Sequence, residues 1–150
     1  MLNRIVDETN KLLIDGHRVA AISGRTFDTL NPATGEVLAK VAEAGAEDVD
    51  AAVRSSRVAF EGPWSHMRAS ERGALLLKLA DLIRRDEDEL VRLESLDSGK
   101  PVSAIRRQDL PAVLDTLTYY AGMADKINGQ VIPARPDALT YTVREPLGVV

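Results

Sequence analysis

Cysteine is absent from the 150 residues. That excludes a disulfide framework and any thiolate metal site, and it removes the commonest covalent nucleophile. Histidine is nearly as scarce. His17 follows a turn and His66 sits in a Trp-Ser-His-Met stretch; neither has a second imidazole beside it in sequence, so both read as structural or solvent-facing. No run approaches the roughly 18 apolar residues of a membrane helix, and Met1-Leu2-Asn3-Arg4-Ile5-Val6-Asp7 breaks into charge before a secretory core forms. The expected compartment is the cytoplasm, with no membrane partner. Clustered positive charge is missing too: the formal net charge is −4, and only Arg84-Arg85 and Arg106-Arg107 pair up, each near acidic residues. Nucleic-acid binding needs a basic surface, so no such partner is expected. Neither Gly-x-Gly-x-x-Gly nor Gly-x-x-x-x-Gly-Lys occurs, and no strand leads through a crossover helix to a second strand in the rhythm of a nucleotide-binding sheet.

What is present suits a folded chain. The hydrophobic set makes up 45% and the charged residues 28%, neither the signature of disorder nor that of a membrane protein. A compact domain of this length buries roughly two thirds of its extended-chain surface. Asp15-Gly16, flanked by Leu12-Leu13-Ile14 and Arg18-Val19-Ala20, suits a type I′ hairpin turn, which needs positive φ at both central positions. Thr26 to Leu30 reads as a strand that ends at Asn31-Pro32-Ala33-Thr34-Gly35, with Glu36 to Val41 as its returning partner.

From about Glu47 the apolar period becomes helical. Val49, Val53, Ser56 and Phe60 share a face on a helix that ends near Gly62-Pro63, with Trp64 as a loop anchor beyond it. A second helix, from about Glu71 to Arg84 with Ser70 as cap, presents Leu75, Leu76, Leu79, Leu82 and Ile83 as a stripe with no evident partner. Asp86 and Glu89 stand at capping-box spacing before a third helix whose buried side carries Leu90, Leu93 and Leu96. The acidic run from Asp86 to Glu89 therefore reads as a helix start rather than a metal site, and Ser98-Gly99-Lys100-Pro101 as a helix-ending turn. A fourth helix starts between Asp109 and Pro111 and ends near Gly129, its apolar face formed by Val113, Leu114, Leu117, Tyr120, Ala121, Ala124 and Ile127. Leu139 to Val150 alternates Leu139, Tyr141 and Val143 before Pro146 and predicts an extended edge strand. The chain closes on apolar Leu147-Gly148-Val149-Val150, which reads as part of something larger.

Five segments in order, Asn31-Pro32-Ala33-Thr34-Gly35-Glu36, Glu71-Arg72-Gly73, Leu96-Asp97-Ser98-Gly99-Lys100-Pro101, Tyr119 to Lys126, and Arg144-Glu145-Pro146-Leu147-Gly148-Val149, resemble the aldehyde dehydrogenase superfamily from Leu13 onward. The resemblance implies an α/β parent fold with a Rossmann-type cofactor domain, of which this segment is amino-terminal β-hairpins, amphipathic helices and a C-terminal strand. Residues 1–138 are then the amino-terminal part of the cofactor-binding domain, and 139–150 the start of an oligomerisation arm. It implies a parent that uses NAD or NADP to oxidise a small aldehyde to a carboxylic acid, through a cysteine thiohemiacetal and thioester, as a homodimer or homotetramer. The nucleophilic Cys and the Glu base fall beyond Val150, so neither catalytic nor cofactor-binding residues are expected within the segment. Two positions carry over by resemblance alone: Thr29 and Asp97 match a structural monovalent-cation site, and Gln108 and Ala112 match helix positions that line the substrate tunnel. Those tunnel positions are often apolar in relatives, so the polar Gln108 argues against purely aliphatic aldehydes. The competing expectation is a stand-alone helical interaction module built from Glu47 to Ile127.

Overall fold

The computed structural model describes residues 10–150. Two short hairpins come first. β1 (Leu12–Ile14) pairs with β2 (His17–Val19) in the register Leu12↔Val19 and Ile14↔His17. The turn has φ of 52° at Asp15 and 73° at Gly16, the double left-handed conformation expected of Asp-Gly. β3 (Thr26–Leu30) pairs with β4 (Val37–Ala42), Thr26 opposite Ala42 and Thr29 opposite Ala39, with a register shift at Leu30. Its turn is closed by Asn31, whose side-chain oxygen accepts the Ala33 N–H (2.9 Å) and whose carbonyl accepts the Gly35 N–H (2.7 Å).

α1 (Ala46–Glu61) begins at Gly45, where Asp48 folds back to accept the Gly45 N–H at 2.9 Å. Residues around Trp64 form a helical turn, α2 (Pro63–His66), where a loop was expected. α3 runs over Ala69–Arg85. It starts two residues before the expected Glu71, and Ser70 is not its cap. Glu71 occupies the third helical position instead, and its carboxylate reaches back to the Arg68 N–H (2.8 Å) and the Arg68 guanidinium (2.7 Å). α4 spans Glu87–Ser98. Its anticipated capping box does not form: Asp86 makes two bonds to the Arg85 guanidinium, 2.9 and 2.7 Å, and Glu89 Oε1 is buried without a partner among the described residues. Gly99, at φ 74°, ends the helix in the left-handed cap that its position predicted.

The next helix starts earlier than its proline suggested. α5 (Val102–Ala104) leads through a π turn at Ile105–Asp109 into α6 (Leu110–Met123). It also stops before Gly129. That glycine serves a close approach, since a Cβ there would collide with the Thr142 carbonyl where residues 130 and 142 bond to each other. The remaining strands are β5 (Val131–Arg135) and β6 (Ala138–Tyr141), a third hairpin in which Val131 faces Tyr141. The expected long strand to Val150 is thus confined to β6, and residues 142–150 carry no regular structure.

The core lies where α4, the π turn and α6 meet. Val91, Ile105 and Leu110 are buried there, with Ile83 and Leu114 packed against them. α3 lies along α6, and Gly73 permits it, because a Cβ on that residue would stand 2.6 Å from the Ala121 carbonyl oxygen. Ala80 is fully buried on the same face. α3 therefore packs through its small residues, while Leu75, Leu79 and Leu82 stay exposed. α4 buries Val91, leaving Leu90 exposed and Leu93 and Leu96 half-buried. On α6, Leu114, Leu117 and Ala121 form the inward face, continued by Ala124 just past its end, while Val113 and Tyr120 face out and Ile127, beyond the helix, is exposed. The chain exposes 11409 Å², about half as much again as the roughly 7500 Å² of a compact protein of this mass.

Candidate functional site

A recess of about 370 Å³ opens between the β3–β4 hairpin and α4. Leu38 and Val41 of β4 and Leu90 and Leu93 of α4 form its apolar wall; Asn10, Thr29, Glu94 and Asp97 bring oxygen atoms to it. The local fold explains why Thr29 and Asp97 meet. Gly99 ends α4 against Pro32 in the hairpin turn, so close that a Cβ on Gly99 would lie 2.9 Å from Pro32 Cγ. This contact brings the last turn of α4 onto β3, and Thr29 Oγ1 donates to Asp97 Oδ1 at 2.9 Å. Asn10 Oδ1 is buried in the same recess with no hydrogen-bond partner among the described residues. A carboxylate, a hydroxyl and an unpaired amide oxygen form the donor set of a hard cation, so the residues present fit one. No group of three or more His, Asp or Glu that could hold a metal occurs among the described residues.

Gln108 and Ala112 lie apart from this recess. Gln108 projects from the π turn and Ala112 from the first turn of α6, and both are exposed. The π turn was not anticipated from the sequence, although Pro111 is its signal. Around it, Lys100 Nζ stands 2.7 and 2.6 Å from the two carboxylate oxygens of Asp109, and Arg106 bonds Glu87 at 2.9 Å and Asp88. The hydrogen bond to Asp88 holds the Arg106 pKa above its ordinary value. Of the acidic run after Arg85, Asp86, Glu87 and Asp88 thus take part in ion pairs, and Glu89 does not among the described residues.

His17 and His66 are exposed. Ser98 Oγ accepts the Lys100 N–H at 3.2 Å, part of a helix-ending turn. Tyr119 and Tyr120 stack edge to face at 5.2 Å on the exposed side of α6 instead of in the core. The sheets are three separate antiparallel hairpins, without a crossover helix between parallel strands among the described residues. The Rossmann cradle of a dinucleotide is built on such a crossover. No helix among the described residues is long and apolar enough to cross a membrane.

Comparison with known proteins agrees along nearly the whole chain. Residues 19–150 match the aldehyde dehydrogenase family. The chain is 50% identical over 142 residues to the mitochondrial aldehyde dehydrogenases of Mesocricetus auratus and Homo sapiens, covering 93% of this chain and 28% of each relative. The NAD+ complex of an aldehyde dehydrogenase from Bacillus cereus superposes with a TM-score of 0.92 at 49% identity, over 97% of this chain and 30% of that one. The chain thus spans under a third of the length of the relatives it matches. Sequence, hairpins and helices agree on one conclusion: the chain belongs to the aldehyde dehydrogenase family.

Proposed function

We propose that these residues are the amino-terminal scaffold of an NAD(P)-dependent aldehyde dehydrogenase that oxidises an aldehyde to a carboxylic acid, and that the segment alone is inactive. The observation that carries this reading is the superposition on the NAD+ complex from Bacillus cereus. Hydride acceptance needs an oriented cofactor, and acyl transfer needs an activated nucleophile. The 150 residues contain no cysteine and, where described, no parallel crossover, so both are assigned to the rest of the parent. The hairpins and helices 1–138 belong in this reading to its cofactor-binding domain. Residues 139–150 begin an arm toward a second subunit of a homodimer or homotetramer. β6 straddles that boundary, with Val131, Leu139 and Tyr141 exposed along the hairpin.

Two site assignments go with this reading. Thr29 and Asp97, with Asn10 beside them, hold a monovalent cation that ties the hairpin to α4. Gln108 and Ala112 line the entrance taken by the aldehyde. To test the activity, the isolated chain and the complete enzyme are incubated separately with an aldehyde panel and NAD or NADP, and reduced cofactor is followed by absorbance. The complete enzyme is expected to reduce cofactor and the segment to give only the blank rate. Aldehyde-dependent reduction proportional to segment concentration overturns the scaffold assignment, and an inactive complete enzyme overturns the reaction.

A further inference from the structure

The chain holds four asparagines, Asn3, Asn10, Asn31 and Asn128, and one of them stands before a glycine. An asparagine side chain is open to attack by the backbone nitrogen of the residue that follows, and glycine offers the least hindered nitrogen because it carries no Cβ. The chain closes that route at two of the other positions. Asn31 precedes Pro32, which has no N–H to lose, and its Oδ1 is held by the Ala33 N–H. Asn10 precedes the long side chain of Lys11, and its Oδ1 is buried. Asn3 lies outside the described residues. Asn128 has none of these restraints. It is exposed, as is Gly129, in the stretch without regular structure between α6 and β5. Among the described residues no hydrogen bond engages its amide or the Gly129 N–H.

We propose that Asn128-Gly129 is a self-modification site, at which the side-chain amide is lost through a succinimide and the chain is rebuilt in part as isoaspartate. The Gly129 nitrogen, having given its proton to hydroxide, attacks Asn128 Cγ. The N–Cγ bond forms, the Cγ–Nδ2 bond breaks, and the amide nitrogen leaves as ammonia after taking a proton from water. Water then opens the imide at either carbonyl. Cleavage of the new N–Cγ bond gives aspartate on the ordinary main chain, and cleavage of the original peptide bond gives isoaspartate, whose main chain runs through Cβ and Cγ. One water is consumed, one ammonia is released, and nothing is oxidised or reduced. The place of the motif in the fold sets the consequence. Gly129 lies so close to the Thr142 carbonyl that it has no room for a Cβ. Beside it the Thr142 N–H donates to the Gln130 carbonyl and the Gln130 N–H to the Thr142 hydroxyl, both at 2.9 Å. Isoaspartate lengthens the main chain at this point by one carbon–carbon bond, about 1.5 Å. A hydrogen bond stretched by that much is no longer one, so the base of the β5–β6 hairpin opens. Aspartate adds a charge but no length and leaves the pairing in place.

The test ages the complete enzyme at neutral and at mildly alkaline pH and follows the tryptic peptide that begins at Ile127, with electron-transfer fragmentation to separate isoaspartate from aspartate. Conversion at Asn128 is expected to outpace that at Asn10 and to accelerate in proportion to hydroxide, and Asn128→Gln should suppress it. Amide hydrogen exchange reads the hairpin. In the isoaspartate fraction of aged enzyme the Thr142 N–H should exchange about two- to tenfold faster, the loss of one hydrogen bond. Freshly prepared Asn128→Asp and aged Asn128→Gln should keep the native rate. An Asn128 that retains its amide through ageing, or is converted no faster than Asn10, refutes the site. Thr142 exchange that stays at the native rate in the isoaspartate fraction, or rises equally in Asn128→Asp, refutes the opening of the hairpin. Neither measurement depends on catalysis, so an enzyme that oxidises no aldehyde would overturn the functional reading and leave both results standing.

Discussion

Asp48 is the one charged side chain buried among the described residues, 3% exposed, and both its oxygens are spoken for. Oδ1 accepts the Ile22 N–H at 3.0 Å and Oδ2 the Gly45 N–H at 2.9 Å, so a single carboxylate joins the segment after β2 to the start of α1. An amide offers one acceptor in place of two and turns its NH2 toward a backbone donor. Asp48→Asn should therefore destabilise the complete enzyme by about 1–3 kcal/mol, the cost of a buried group left unpaired. Denaturant titration measures it, and unchanged midpoints would show that the two bonds contribute nothing. The role of Asp48 was not readable from sequence because an acid in a helix's first turn already has a sufficient explanation in the helix dipole. Asp97 and Thr29 were found only through resemblance, since their meeting depends on Gly99 seating against Pro32. If a cation binds there, potassium or sodium chloride should raise the thermal midpoint above that in choline chloride. An ion at a hundred times its Kd contributes about 2.7 kcal/mol. Asp97→Asn should abolish the difference, and a difference that survives in the variant would move the ion elsewhere.

Turns fixed by neighbouring residues were the readable elements. Asp15-Gly16, the loop from Asn31 to Gly35 and the Gly99 cap each depend on a few adjacent dihedrals, and all three are found as expected. Helix starts were less readable, as α3 shows. Ser70 has the composition of a cap, but Glu71 satisfies the Arg68 N–H from the third position and moves the start back. The inward face of the last helix was also misassigned in part, because periodicity defines a stripe without saying which part of it meets Gly73 and Ala80. The Glu71 carboxyl is held below its ordinary range, first by the Arg68 side chain and then by the Arg68 N–H. A folded-state pKa below the unfolded one stabilises α3 above the unfolded value, and this is lost as pH falls through the folded value, in a window below about pH 4. Glu71→Gln should flatten that part of the acid limb of the complete enzyme's stability. The pair is exposed, so the effect should shrink with salt. An identical acid limb in the variant would refute the assignment.

The chain exposes more surface than its mass warrants, and large apolar side chains are among what it exposes. Leu75, Leu79 and Leu82 are 44%, 45% and 38% exposed along α3. Each large side chain left in water forfeits on the order of 1.5–3 kcal/mol, against a total domain stability of about 5–15 kcal/mol. Sequence reading found this stripe and its missing partner, since amphipathicity is visible in one chain even when the surface that covers it is not. The isolated 150-residue chain should therefore self-associate or pack loosely. Sedimentation velocity over a concentration series, with amide-resonance dispersion, measures this. A monodisperse monomer with dispersed resonances and one cooperative unfolding transition would show that the stripe needs no cover.

The contact between Gly73 and Ala121 also has a consequence in time. The three hairpins join strands adjacent in the chain, and pairings of that kind form within about 1–10 μs. Docking of α3 on α6 must wait until α6 exists, and the roughly forty residues between the end of α3 and the end of α6 take on the order of 2–8 s to synthesise. During those seconds the two hairpins that precede α3 can already hold their native pairings, while α3 presents Leu75, Leu79 and Leu82 from one side and the unmatched notch of Gly73 and Ala80 from the other. On the ribosome, α3 is a target for chaperones before it is a support for anything else.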